Sequence, residues 1–289
     1  MIWRVEMGRK LWSGAAGWVV AAVVLLIGLA SEPLAAQDAS AVKHMPADAV
    51  PQFDVVTIKP TAPDTKSMGF MNNGRHILAE NMTVNDIVSF AYGVHGKQIS
   101  GAPAWFGSDR FDVDGVPDVE GELNLKQMQG MYRKLLDDRF NLRFHREKRE
   151  LSVYAMTVAK SGPKLTKSQG DPTGSPDQTF TEISSRSVVL RETNATMSDF
   201  ALNMQASAMD RPVVDQTGIT GRFDFTLKWT PDETQFGTLG MRLSPPGDDP
   251  NASPGLFTAI QEQLGLKLVP VKAPADVIVI DHVERPSAN

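Results

Sequence analysis

Apolar positions along this chain recur with two different periods. After Thr83 they fall at Val84, Ile87, Val88 and Ala91, the i, i+3, i+4, i+7 stripe that an α-helix buries. The same stripe follows Thr196, at Met197, Phe200, Ala201 and Met204. Each threonine has an aspartate three residues on, Asp86 and Asp199. A hydroxyl and an acid at that spacing can satisfy the free amides of a helix's first turn, so both helices are predicted to start at the threonine. A second pair is predicted from Tyr132, Leu136 and Phe140 and from Leu256, Ile260 and Leu264. Strands are expected near Ile77, Ile99, Val113, Leu142 and Val153, again near Val189, Val213, Phe225, Leu268 and Val279, and at Phe53 to Ile58 ahead of them.

These elements read as a repeat. Asn81-Met-Thr83-Val-Asn-Asp86 returns as Asn194-Ala-Thr196-Met-Ser-Asp199, 113 residues later. Arg110-Phe111-Asp112-Val113 returns as Arg222-Phe223-Asp224-Phe225 after 112, and Leu142-Arg143-Phe144 as Leu266-Lys267-Leu268 after 124. The fold class expected is α+β: two tandem copies of a β-α-β-β-α-β-β module, with mixed or antiparallel sheets backed by helices. The first copy is placed at 53–163 and the second at 187–289, with a Gly-, Ser- and Pro-rich linker at 164–186. The longer third offset requires an insertion in the second copy, placed in the proline-rich stretch 231–255.

Ahead of the modules, Arg4, Arg9 and Lys10 precede an apolar run from Trp18 to Ala30 and small residues as far as Ala36. That order describes a secretory signal at 1–36, cleaved after Ala36 or, alternatively, after Ala30, or else an uncleaved membrane anchor. Residues 37–52 read as a linker. The expected location is the periplasm or cell surface.

Composition narrows the function classes. The 289 residues include no cysteine, which excludes disulfide frameworks, thiolate nucleophiles and iron–sulfur clusters. A net charge of -5 gives no reason to expect a nucleic-acid partner. No two of the five histidines, His44, His76, His95, His145 and His282, are three to five residues apart, so no helical metal pair is expected. Neither Gly-x-Ser-x-Gly nor a phosphate-binding glycine loop occurs. No metal and no cofactor are expected.

Candidate chemistry lies in a few places. Asp112 and Asp224 occupy equivalent positions, and Asp215-Gln-Thr-Gly218 resembles the Asp-Thr-Gly loop of aspartic proteases with one residue inserted. For each the ordinary reading is a closed turn or a bond to neighbouring backbone. Trp105, Phe106, Arg211, Asp215, Phe236 and Met241 are the candidate binding residues; an aromatic in a Pro-Ala-Trp-Phe-Gly loop either fills the core or anchors a ligand. Residues 133–149 hold seven basic side chains against Asp137, Asp138 and Glu147, a local +4 suited to an anionic cell-wall polymer or lipid headgroups.

Several stretches together resemble a family of uncharacterised soil-associated bacterial exported proteins that carry a domain of unknown function. They are Phe53 to Pro60, Ile99 to Trp105, Leu136 to Phe140, Arg211-Pro-Val-Val-Asp215-Gln-Thr-Gly218-Ile-Thr-Gly221-Arg-Phe-Asp224, and Val279 to Pro286. The order of elements in each copy is similar to the short N-terminal domain of secretins and TonB-dependent receptors. Related domains are similar to extracytoplasmic parts of sensor-type membrane metallopeptidases. What the resemblance implies is sensing or binding. The duplication and the lack of a recognisable nucleophile, metal cluster or cofactor loop lead to the expectation of a non-enzymatic module that binds an envelope protein or cell-wall polymer and meets membrane only through an uncleaved N-terminal segment. The alternatives are a hydrolase of cell-wall or environmental polymer using Asp112, Asp215 or Asp224, and a structural envelope component.

Overall fold

A computed structural model describes residues 45–286, apart from 47, 66, 173, 237–242, 244–249 and 251. The expectations for the signal segment, and for Met241, lie outside the described residues.

The fold is α+β, with three four-stranded sheets and few helices. The first sheet has the order β1 (Phe53–Pro60), β5 (Arg110–Pro117), β3 (His76–Thr83), β2 (Gly69–Asn73), all antiparallel. It is backed by α1 (Val84–Tyr92) and α2 (Leu125–Phe140). Another sheet runs β7 (Thr166–Lys167), β11 (Phe223–Trp229), β9 (Val188–Ala195), β8 (Asp177–Ile183), backed by α3 (Met197–Ser207), α4 (Leu256–Ala259) and the π turn Ile260–Leu264.

Between them lies a ribbon of two long antiparallel strands, β6 (Arg143–Val158) and β12 (Leu266–His282). Each long strand takes a short parallel partner: β10 (Val213–Asp215) beside β6, and β4 (Ile99–Ser100) beside β12. The ribbon serves both cores. Ile278 and Ile280 of β12 pack with α1 and α2, while Met156 of β6 and Leu266 and Leu268 of β12 pack with α3 and α4.

The helices start for the reason their sequence suggests. Thr83 and Thr196 each accept the backbone N–H three residues on, and Asp86 and Asp199 each accept the N–H of their threonine in return. Two otherwise unpaired amides are thereby satisfied at each helix start. Just before each cap an asparagine adopts left-handed backbone, Asn81 at φ 55° and Asn194 at φ 54°. The bend turns the strand into the helix, and asparagine tolerates it better than most residues.

Three expectations are corrected. The strands expected near Leu142 and near Val153 are one continuous strand, β6, which begins at Arg143, and Leu268 and Val279 likewise share β12, so neither copy ends in a hairpin. No glycine interrupts either strand, and their middles, Lys148 to Ser152 and Lys272 to Asp276, stay paired to each other across the ribbon. Residues 164–186 carry β7 and β8 and thus form part of a sheet. The described part of 37–52 is docked, with Met45 buried and the Gln127 side chain donating to the Pro46 carbonyl at 2.8 Å. Among the described residues no helix is long and apolar enough to cross a membrane.

Candidate functional site

The carboxylates singled out by sequence are engaged in holding the chain's turns. Asp112 Oδ1 accepts the Asn81 backbone N–H at 3.0 Å and the Thr61 hydroxyl at 2.7 Å. Asp224 Oδ1 accepts the Asn194 N–H at 2.7 Å, and this bond holds its carboxyl below the usual range. Arg110 and Arg222 close the same loops, each donating to the asparagine carbonyl at 2.6 Å. Asp112 and Asp224 sit in different sheets. Asp215 Oδ1 accepts both N–H and hydroxyl of Thr217, an Asx-type turn.

The candidate binding aromatics are likewise structural. Phe106 is 2% exposed and Phe236 1% exposed, so neither meets solvent. Phe236 stacks on Trp229 with centroids 6.2 Å apart and 12° between planes. Trp105 is half-buried and covered by the Arg285 guanidinium, 4.9 Å from its ring centre. Arg211 lies over Tyr154 at 4.8 Å while donating to Asp210 and to Ser152. Among the described residues no three His, Asp or Glu side chains are arranged to hold a metal ion.

What remains is a cleft of about 460 Å³ where α1 ends against α2 and β6. Gly93 in left-handed conformation stops α1 and leaves Tyr92 at the rim. Two side chains of α2 cap the last carbonyls of α1: Gln129 donates to Phe90 O at 3.0 Å, and Arg133 Nε to Ala91 O at 2.7 Å. That bond brings the Arg133 guanidinium to 5.8 Å from the Tyr92 ring centre. From β6, Phe144 meets the Tyr92 ring edge-on at 4.8 Å, and Arg146, beside the cleft's lining, places a second guanidinium 5.9 Å from the same ring.

The charge balance of the basic stretch now becomes specific. Lys134 pairs with Asp138, Arg143 with Asp137, Lys148 with Asp276 and Arg149 with Glu147. Among the described residues no carboxylate lies within ion-pair distance of Arg133 or Arg146. Burial raises the Tyr92 phenol above its ordinary value; the Asp137 carboxylate adds to the rise, and these two guanidinium groups oppose it. The phenol is therefore a neutral donor beside two cations that make no ion pair, in a cleft that the Asp137 carboxylate also lines.

Such a cleft suits an anion lying against an aromatic face. Its residues escape a reading of the sequence in part. Arg133 and Arg146 belong to the basic stretch, but Tyr92 ends a helix 41 residues earlier and carries no local signal.

The model of a family described as a protein of unknown function, DUF3738, matches residues 85–283. The chain belongs to the DUF3738 family. No curated protein and no solved structure matches it. The DUF3738 match begins inside α1 and ends just beyond β12, so it takes in Tyr92, Arg133, Phe144 and Arg146 and leaves β1 to β3 ahead of it.

A second cleft of about 390 Å³ lies beside Arg222 and Lys167. There Arg222 donates to the Pro172 and Asn194 carbonyls and stands 3.9 Å from Asp199, so its charge is already engaged.

Proposed function

We propose that this DUF3738 protein is an exported binding module without catalytic activity, and that it holds an anionic polysaccharide of the cell envelope in the Tyr92 cleft. One observation carries the reading: two guanidinium groups without a carboxylate partner flank one half-buried ring. A planar guanidinium can take a carboxylate or phosphate through two parallel hydrogen bonds. The Tyr92 face and hydroxyl add apolar contact and a neutral donor for the sugar.

The same reading treats the chain as a tandem duplication in which only the first copy keeps the cleft. Its support is the pair of equivalent Asn–Asp–Arg loops and the ribbon register, where Val213 faces Tyr154 and Ile99 faces Ile278, 124 residues on from Tyr154. At the positions answering Arg133 and Tyr92 by those offsets stand Phe257 and Gln205. The hydrolase alternative is disfavoured because its three aspartates bond to backbone and turn groups.

Calorimetric titration of the full chain with oligogalacturonate, a repeating carboxylate, tests this against a neutral oligosaccharide of equal length. Saturable binding of the acidic oligomer alone, weakened about tenfold in Arg146→Gln, is expected for loss of one charge-assisted contact. Equal affinity for both oligomers, or an Arg146→Gln variant that binds like the parent, would overturn it.

A further inference from the structure

The core of the second half contains a carboxylic acid without a cation. Glu192 on β9 is 0% exposed, Asn203 on α3 1%, and Gln178 on β8, directly opposite Glu192 in the ladder, 7%. Asn203 Nδ2 donates to Glu192 Oε1 at 2.7 Å. Two buried oxygens are left without a partner, Glu192 Oε2 and Asn203 Oδ1. The corresponding places of the first sheet and helix are apolar: Phe70 lies opposite Ala79, and Phe90 stacks on Phe70 at 4.0 Å. Packing of this kind does not require polar groups there, and burying them unsatisfied is costly.

Both orphaned oxygens are acceptors. An ionised Glu192 leaves both bare, whereas a protonated one gains an O–H. A carboxylic acid and a primary amide can close a ring of two hydrogen bonds, Nδ2–H to Oε1 and Oε2–H to Oδ1. A small turn of either side chain would complete it, and a single proton would satisfy both atoms. The surroundings favour that proton. Asp199 faces Glu192 from α3 and Asp177 from β8, both negative; the other neighbours are the amides of Asn203 and Gln178 and, across the ladder on β11, Phe225. Burial is the main cause that pushes the Glu192 carboxyl up to about 8, against the lowering effect of the Asn203 and Gln178 amides.

We propose that Glu192 and Asn203 form a proton-operated latch that fastens α3 to its sheet, closed while the acid is neutral and released when it ionises. The latch stands on the core alone and does not depend on what the Tyr92 cleft binds. Its release would reach the other half, because Gln205 of α3 donates to the Gly93 carbonyl at 3.3 Å and accepts the Val213 N–H at 3.1 Å.

Urea unfolding of the full chain between pH 6.5 and 8, with Glu192→Gln alongside, tests the latch. An acid whose folded pKa is raised contributes stability that is complete below its unfolded value, near 4.5, and lost as pH rises to about 8. Across this window the folding constant of the parent should fall about fifteenfold, the slope easing from tenfold per unit as pH nears 8. Glutamine is neutral throughout and keeps an amide for Asn203, so the variant should stay level. A parallel fall in both proteins would overturn the latch. Should Glu192→Gln fail to fold, the parent's infrared spectrum decides: a protonated-acid carbonyl band must be present at pH 6.5 and fade near pH 8, and its absence at pH 6.5 overturns the proposal. Hydrogen exchange at pH 9 locates the release, with α3 amides losing protection before those of α1; a uniform loss would contradict it.

Discussion

Arg133 on α2 donates its Nε to the carbonyl of Ala91, in the last turn of α1, at 2.7 Å. This one bond closes a helix end and sets a cation beside Tyr92, so fold and site share a residue. Arg146 reaches the same ring from β6 with no hydrogen bond of that kind. The two arginines should therefore separate in experiment. Arg133→Ala is expected to lower stability by about 1.5–3 kcal/mol, the range for a hydrogen bond from a charged donor, and Arg146→Ala by under about 0.5 kcal/mol, as for an exposed site. Urea denaturation checks both; equal losses would mean that the Ala91 bond contributes nothing.

The two threonine caps are geometrically alike and should be alike in energy. Thr83→Ala and Thr196→Ala are each expected to cost about 1 kcal/mol, because the backbone N–H of Asp86 or Asp199 loses its acceptor. Denaturation midpoints of both variants, read against Thr→Ser controls that keep the hydroxyl, measure the effect. A serine control as unstable as the alanine variant would assign the loss to the methyl group and its packing.

Much of this was legible because capping residues and the 3.6-residue period act locally. Val84 and Met197, Thr83 and Thr196 lie where their spacing places them. The ribbon was not legible, since the polar middles of β6 and β12 look like turn sequence and pair only with each other. The exchange of β4 and β10 across it was hidden for another reason: strands of two and three residues have no period to read. At the site, the basic stretch showed in the sequence, but its pairing did not. Asp276, which takes Lys148, lies 128 residues away.

Phe236 illustrates a misleading neighbourhood. Its glycine- and proline-rich surroundings suggest exposure, yet its ring stacks on Trp229 and meets Phe180 edge-on at 5.7 Å. Phe236→Ala is expected to cost about 3–5 kcal/mol as a large-to-small core change. Affinity for an acidic oligomer should be unaltered in the folded fraction. A loss below about 1 kcal/mol in thermal or chemical unfolding would return Phe236 to the surface.

His95 should shape the acid side of the stability profile. Its Nδ1 accepts the Lys97 N–H at 3.1 Å, and burial first, then the Lys97 charge, lower its pKa from 6.5 to about 4. The unfolded chain thus binds a proton below pH 6.5 that the folded one refuses until near pH 4. Stability from this source is complete above 6.5 and lost as pH falls to 4. Between about 4.5 and 6.5 that trend opposes the one from Glu192, so the parent should be nearly level there. In His95→Asn, whose short amide can keep the cap, stability should fall steadily from pH 4.5 to 8. Urea midpoints across the range check this, and a level acid region in the variant would contradict it.

The central claim, that an anionic saccharide docks against Tyr92, has a direct test because the chain contains three tyrosines. Fluorotyrosine labelling gives one fluorine resonance each for Tyr92, buried Tyr132 and Tyr154 beneath Arg211. Titration of the labelled full chain with oligogalacturonate should shift the Tyr92 resonance saturably and leave the other two in place. A shift confined to Tyr154, or no shift at saturating oligomer, would contradict the account.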